Sequence, residues 1–329
     1  MTLPVLYKLL AIFIVVALGY IAGRMRWLGD ERQGADPART LSNVAFYVFV
    51  PALLFRTTSR LPFATMPWGT LVAFFVPVLM LLLGVYAWQR RRNRSGRLPT
   101  AAPSVRAISA TFGNTLQVGV PMASALFGEP GLAIHITIIS LHALTLLLVL
   151  TTLVELDLAR AEAAHMGHDL MATLKTTLRN TIIHPVVLPV LAGMAWNATG
   201  LPLPPVVDEA LEVLGTAVVP LCLVLIGMSL AYYGMRGSVR GAAGLSVLKL
   251  LVLPVLVLAV GHWGFGLHGL ALNVVVMAAA LPVGSNALIF SQRYETLEGE
   301  ATAAIVLSTF AFVLTAPLWL WVLSAPVWR

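Results

Sequence analysis

Apolar runs of about 20 residues, the length that crosses a bilayer as a helix, recur ten times along the chain, with short polar stretches between them. The pattern predicts spans near Val5–Trp27, Leu41–Thr58, Trp68–Gln89, Pro103–Phe127 and Leu132–Leu153. After a polar connector from Glu155 to Arg179, further spans are expected near Asn180–Ala198, Val213–Tyr233, Ala242–Trp263, Leu270–Gln292 and Ala301–Leu323. The halves repeat: Pro51, Pro77 and Pro121 in spans two, three and four return in the same order as Pro220, Pro254 and Pro282 in spans seven, eight and nine. Five spans per copy is an odd number, so the second copy enters the membrane inverted. The expected organisation is a first five-helix repeat over residues 1–154, a cytoplasmic connector over 155–179, and an inverted repeat over 180–329. The fold class is an all-α polytopic membrane protein of ten transmembrane helices.

Composition agrees with that class. Hydrophobic residues make up 59% of the chain and charged residues 11%, against about 25% charged in soluble domains. The net charge of +7 could suggest a nucleic-acid partner, but the basic residues concentrate in the loops after the odd-numbered spans, most densely at Arg90-Arg91-Arg92-Asn93-Arg94. That is the signature of cytoplasmic loops, and it puts both termini on the outer side of a plasma membrane, the inner membrane in a bacterium. The lone Cys222 excludes an internal disulfide and a cysteine-based metal cluster. The N-terminus lacks a basic leader and a small-residue cleavage site, so its apolar run is expected to stay as the first span.

Two stretches break the apolar pattern in mid-span. Gly113-Asn114-Thr115-Leu116-Gln117-Val118-Gly119-Val120-Pro121-Met122 lies in span four, and Ala280-Leu281-Pro282-Val283-Gly284-Ser285-Asn286 in span nine. Proline removes a backbone donor and frees the carbonyl four residues earlier, here those of Gln117 and Ala278. Lipid cannot satisfy such groups, so broken backbone persists only against protein or a polar cavity. Paired interruptions in two halves of a chain point to a carrier's solute site. Helices restarting after each proline, near Met122 and near Val283–Gly284, offer free N–H groups and partial positive charge to an anion. Asn114, Thr115, Gln117, Ser285 and Asn286 add neutral donors, Gly284 sits at the second restart, and Pro121 and Pro282 set the geometry. A carboxylate could be held this way without a buried cation, which costs about 2.5–3.5 kcal/mol to insert at the centre of a span. Asn43 and Tyr47 on span two are candidates to close the site.

These motifs resemble the auxin efflux carrier family, which includes plant auxin exporters and bacterial organic-acid carriers. The span-four stretch continues into Leu126-Phe127-Gly128-Glu129-Pro130-Gly131, and the span-nine stretch into Ala287 and then Gln292-Arg293-Tyr294. Phe46-Tyr47-Val48-Phe49-Val50-Pro51-Ala52-Leu53-Leu54-Phe55 and Leu225-Ile226-Gly227-Met228-Ser229-Leu230 are similar to the family's second and seventh spans. The resemblance covers nearly the whole chain and is weak for substrate. It implies a five-plus-five inverted repeat shared with bile-acid sodium symporters, and a scaffold of spans one, two, six and seven through which members often dimerise. It also implies a mobile core of spans three to five and eight to ten. Helices four and nine would cross at their prolines, and the core would move as an elevator. Small dicarboxylates or hydroxy-acids such as malonate or malate are then the expected substrates, or an indole acid such as auxin. The long cytoplasmic loop of the large plant exporters is missing, so regulation through it is not expected.

Coupling is harder to read. Neither broken stretch holds an acid, whereas bile-acid symporters place a carboxylate near their sodium sites. His135 and His142, seven apart on one face of span five, could relay protons or be packed side chains. Lys249 in span eight could snorkel to the cytoplasmic surface or face the interior as a counter-charge. No cofactor is expected, and the coupling ion could be a proton or sodium. The rivals are a sodium-coupled symporter of bulky amphipathic acids and, less well supported, a channel. An intramembrane serine protease would need a base for Ser285, and none is evident, so no enzyme is expected. The expected partners are the organic anion, the lipid bilayer and a second copy of the chain, with no nucleic acid.

Overall fold

The computed structural model describes residues 3–29, 37–61, 66–93, 98–166, 183, 185–233 and 239–328. Among them the regular structure is helical: α1 (Leu3–Arg24), α2 (Pro37–Ser59), α3 (Trp68–Arg92), α4 (Ala102–Thr111), α5 (Val120–Met166), α6 (Val187–Ala198), α7 (Pro205–Tyr233), α8 (Val239–Gly264), α9 (Gly269–Ala279), α10 (Asn286–Arg293) and α11 (Glu298–Leu323). Six stretches among the described residues are long and apolar enough to cross a membrane, and Phe13–Arg24, Val187–Ala198 and Gly269–Ala279 are shorter apolar helices. This is a multi-pass membrane protein.

Three prolines leave the same local mark. A π turn over Ala45–Phe49 precedes Pro51, one over Thr115–Gly119 precedes Pro121, and one over Leu248–Val252 precedes Pro254. A proline ring clashes with the carbonyl four residues back and offers no N–H to it. Widening the preceding turn moves that carbonyl aside, and such π turns recur at functional positions.

Two boundaries differ from the sequence pattern. Spans four and five run together as α5, bent at Gly128 (φ 62°, ψ −164°), a backbone conformation open to glycine. The connector expected from Glu155 begins as helix, because α5 continues to Met166, and two of its acids find partners. Asp157 accepts from Tyr86 Oη at 2.7 Å and pairs with Arg90 at 2.9 Å. Glu155 accepts from Tyr294 Oη at 3.0 Å. Residues 167–182 and His184 lie outside the described residues.

Helices α1, α2, α6 and α7 pack on one another, and so do α3, α4, α8, α9 and α11, while α5 touches both groups, chiefly α9 of the second and α1 of the first. Backbones in the first group approach closely, as small residues allow in membranes. A side chain at Gly227 would collide with the backbone of Val16 and Tyr20, and one at Gly19 with that of Val224. The glycosylation-like triplet Asn197-Ala198-Thr199 has a structural use here. Asn197 Nδ2 donates to the carbonyls of Thr58, Ser59 and Leu61 at 3.4, 3.0 and 3.1 Å, closing the C-terminal end of α2.

Candidate functional site

The two broken stretches meet. Helix α4 ends at Thr111 and α9 at Ala279, each short of its proline. The extended residues that follow pair antiparallel, Gly113 opposite Val283. Asn114 N donates to Pro282 O at 2.8 Å, and Gly284 N to Phe112 O at 2.9 Å. Each break thus satisfies the other's backbone, which is how non-helical chain persists at membrane depth. Two further groups hold the pair from outside. Ser308 Oγ of α11 accepts from Val283 N at 3.0 Å, and His142 Nε2 of α5 accepts from Gly113 N at 3.2 Å.

Both helices restart beside this pairing. The first restart comes at Thr115, as the π turn, and not near Met122. Pro121 cannot donate to the carbonyl of Gln117, so the turn ahead of it widens and Gly119 N reaches Asn114 O at 3.1 Å. The second restart is at Asn286, with Ser285 as its cap residue. A cavity of about 270 Å³ opens between the restarts, bounded by Asn114, Thr115, Gly284, Ser285 and Asn286. Leu53, Thr57 and Thr58 of α2 and Val218 of α7 form the facing wall. The cavity shares Leu53, Thr57, Leu116, Ser140 and Val219 with a second one of about 420 Å³, which reaches Arg56 and Arg60. There Arg56 pairs with Asp208 at 2.9 Å and with Glu212 at 2.5 Å, and Arg60 also pairs with Asp208.

Five of the expected site residues therefore gather at one cavity: Asn114, Thr115, Gly284, Ser285 and Asn286. Pro282 supplies a paired carbonyl, and Gln117 and Pro121 lie on the chain of the first restart. Asn43 and Tyr47 are exposed and are not brought to the cavity in this conformation. Tyr47 lies instead beneath the guanidinium of Arg293, 5.4 Å from ring to charge. The histidines bind backbone. His135 Nε2 lies 2.9 Å from Thr115 O, and His142, on the cavity wall, receives the Gly113 N–H. A ring nitrogen that accepts an N–H carries no proton of its own, so His142 stands here as a neutral acceptor. Lys249 does not snorkel. It is fully buried, and its Nζ donates to Ala279 O at 2.5 Å.

Sequence reasoning missed Ser308 and the α2 wall. A single serine in an apolar span carries no periodic signal, and the wall residues are ordinary helix positions. Among the described residues, no group of three or more His, Cys, Asp or Glu is placed to hold a metal ion.

Comparison with known proteins shows the family. The model of the membrane transport protein family matches residues 4–320, so the chain belongs to that family, which includes the auxin efflux carriers. It is 25% identical to an uncharacterized transporter of Methanothermobacter thermautotrophicus, over 94% of this chain and 95% of that one. It is 22% identical to a putative malonate transporter of Rhizobium meliloti, over 93% and 92%. It is 23% identical to auxin efflux carrier component 8 of Arabidopsis thaliana, over 86% and 87%.

Proposed function

We propose that this protein is a secondary carrier of small organic anions, with the cavity between the paired breaks as its binding site. The observation that carries the reading is that two helix starts and two asparagines, one of each from either half, border a single cavity. Helix N-termini favour negative charge, and neutral amides add donors without a charged side chain in the cavity lining. The volume of about 270 Å³ sits at the lower edge of ligand pockets, roughly 300–1,000 Å³. That favours a compact mono- or dicarboxylate such as malonate or malate over a bulky amphipathic acid, with an indole acid such as auxin as the larger alternative. The printed names of the Rhizobium and Arabidopsis relatives fall in the same chemical class.

The transport cycle in this reading is alternating access. Ten spans form two inverted repeats whose broken helices cross at the site. The group α1, α2, α6 and α7 is a fixed scaffold that also pairs two copies of the chain, and the other group, with α5, carries the site across the membrane as an elevator. The packing within each group supports that division, with α7 against α11 and α1 against α5 forming the seam between them. The route through Arg56 and Arg60 leads to the side assigned as outer by loop charge, with both termini on that side. Uptake of labelled malonate into proteoliposomes tests the site. Asn114→Ala and Asn286→Ala are each expected to reduce saturable uptake by more than tenfold while the protein still inserts and folds, since each leaves a charged ligand short of a donor worth about 1.5–3 kcal/mol. Unchanged uptake by both variants would refute it.

A further inference from the structure

Lys249 lies in a membrane-spanning helix, on the π turn Leu248–Val252 that precedes Pro254 of α8. None of its surface reaches solvent, and its Nζ donates to Ala279 O at 2.5 Å. That carbonyl belongs to the last turn of α9, where a helix leaves acceptors unpaired and carries partial negative charge. On its other side the ammonium backs onto the paired breaks: a Cβ built on Gly113 would sit 3.4 Å from Nζ and 3.5 Å from Cε. Gly113 itself borders the anion cavity. One thickness of backbone therefore separates the ammonium from the cavity.

The charge balance at this point is unusual. An ammonium has three protons to donate, and among the described residues no carboxylate lies within ion-pair distance of Lys249. His142, across Gly113, is a neutral acceptor. Two acids in the bundle are engaged elsewhere, Glu300 of α11 with Arg106 at 2.7 Å and Asp157 of α5 with Arg90 at 2.9 Å. An isolated charge inside a membrane protein is costly unless it is paired. A fold that keeps one directly behind a cavity offering only neutral donors leaves room for one negative charge from outside.

We propose that Lys249 is the resident counter-cation of the anion site, acting through the Gly113 backbone so that binding needs no dissolved metal cation. The inference rests on the cavity being an anion site. It makes Lys249 a positioning and charge-balancing residue, without direct contact to the ligand.

The test uses purified full-length protein and malonate as the probe. Binding is measured in sodium and in N-methylglucamine salts, with melting temperature as a parallel readout. Wild type is expected to bind equally in both salts. K249M keeps most of the side-chain volume and is expected to bind about thirtyfold more weakly, the order a unit charge about 8 Å away, behind the backbone, gives at an effective dielectric constant of about 20. Its melting should stay within a few degrees of wild type, because replacing a buried charge with an apolar side chain is often neutral for stability. K249R should retain most of the affinity, and methylammonium should partly restore K249A. Wild-type affinity in K249M, or binding by wild type only in sodium, would overturn the inference and leave the carrier reading standing. The salt comparison needs no variant, so sodium-dependent binding overturns the inference even if K249M fails to fold, and K249R then carries the assignment to Lys249. Failure of wild type to bind any organic acid would remove the anion site and this inference with it.

Discussion

Adding one methyl group at Gly284 tests the paired breaks. An ideal Cβ there falls 2.8 Å from Gly113 O, 2.9 Å from Phe112 Cδ1 and 3.1 Å from Gly113 C. Carbon contacts are most favourable at about 3.5–4.0 Å, so the two breaks must part by about 0.6 Å or more to admit it. Gly284 N and Phe112 O are only 2.9 Å apart, and Asn114 N and Pro282 O 2.8 Å. The same displacement carries both bonds past the roughly 3.2 Å limit of a good N–H···O geometry. Overpacking costs about 1–3 kcal/mol, and each buried backbone group left unsatisfied about 1–3 kcal/mol more. Gly284→Ala is therefore expected to cost about 3–9 kcal/mol and to distort the cavity. Gly113→Ala is the control on the opposite break. Its Cβ meets nothing closer than Lys249 Nζ at 3.4 Å, an ordinary van der Waals contact, so a change within about 1 kcal/mol is expected. Thermal unfolding of the purified variants, with malonate uptake measured in parallel, reads both effects. If Gly284→Ala melts with wild type and transports normally, the breaks are not held together as described.

Other substitutions probe the supports. Ser308→Ala removes the acceptor for Val283 N and should lower stability by about 1–3 kcal/mol, the cost of a buried unsatisfied donor. Uptake should fall further than melting alone explains, and a silent substitution would release Ser308 from this role. Asn197→Ala strips three carbonyls at the end of α2 of a shared donor. A loss of about 1–2 kcal/mol, in the range of helix-cap deletions, should appear in thermal melts with malonate affinity unchanged. Arg106→Met would leave Glu300, 7% exposed, without the guanidinium it binds at 2.7 and 3.0 Å. Breaking a buried pair from one side costs about 3–5 kcal/mol, so poor yield or early melting is expected, with partial recovery in Arg106→Met/Glu300→Gln.

The breaks could be read from sequence because glycine, proline and neutral amides in mid-span conflict with any unbroken helix in lipid. The five residues at the cavity follow from that conflict alone. What the pattern does not contain is the way each break is held. Ser308 is one hydroxyl in an apolar helix, and its acceptor role exists only once α11 is placed against Val283. His142 was visible as a polar residue in an apolar run, but only the placed Gly113 N–H fixes it as an acceptor. Lys249 shows the limit most clearly. Its position near a cytoplasmic end fitted a snorkelling side chain as well as an inward one, and the choice depends on where the end of α9 lies, a contact some thirty residues away in sequence. The π turns follow from proline sterics, yet a sequence does not say whether a proline will kink, widen or end its helix. Pro77 and Pro220 stay inside α3 and α7, while Pro51, Pro121 and Pro254 each follow a widened turn.

The central claim is that an organic anion sits between the two breaks, and a structure of the protein in lipid nanodiscs saturated with malonate measures it directly. Density for the dicarboxylate should appear within hydrogen-bonding distance of Asn114 and Asn286, against the first turns that begin at Thr115 and Asn286. Malonate found only beside exposed arginines, or an unchanged cavity at a concentration that saturates uptake, would contradict the account.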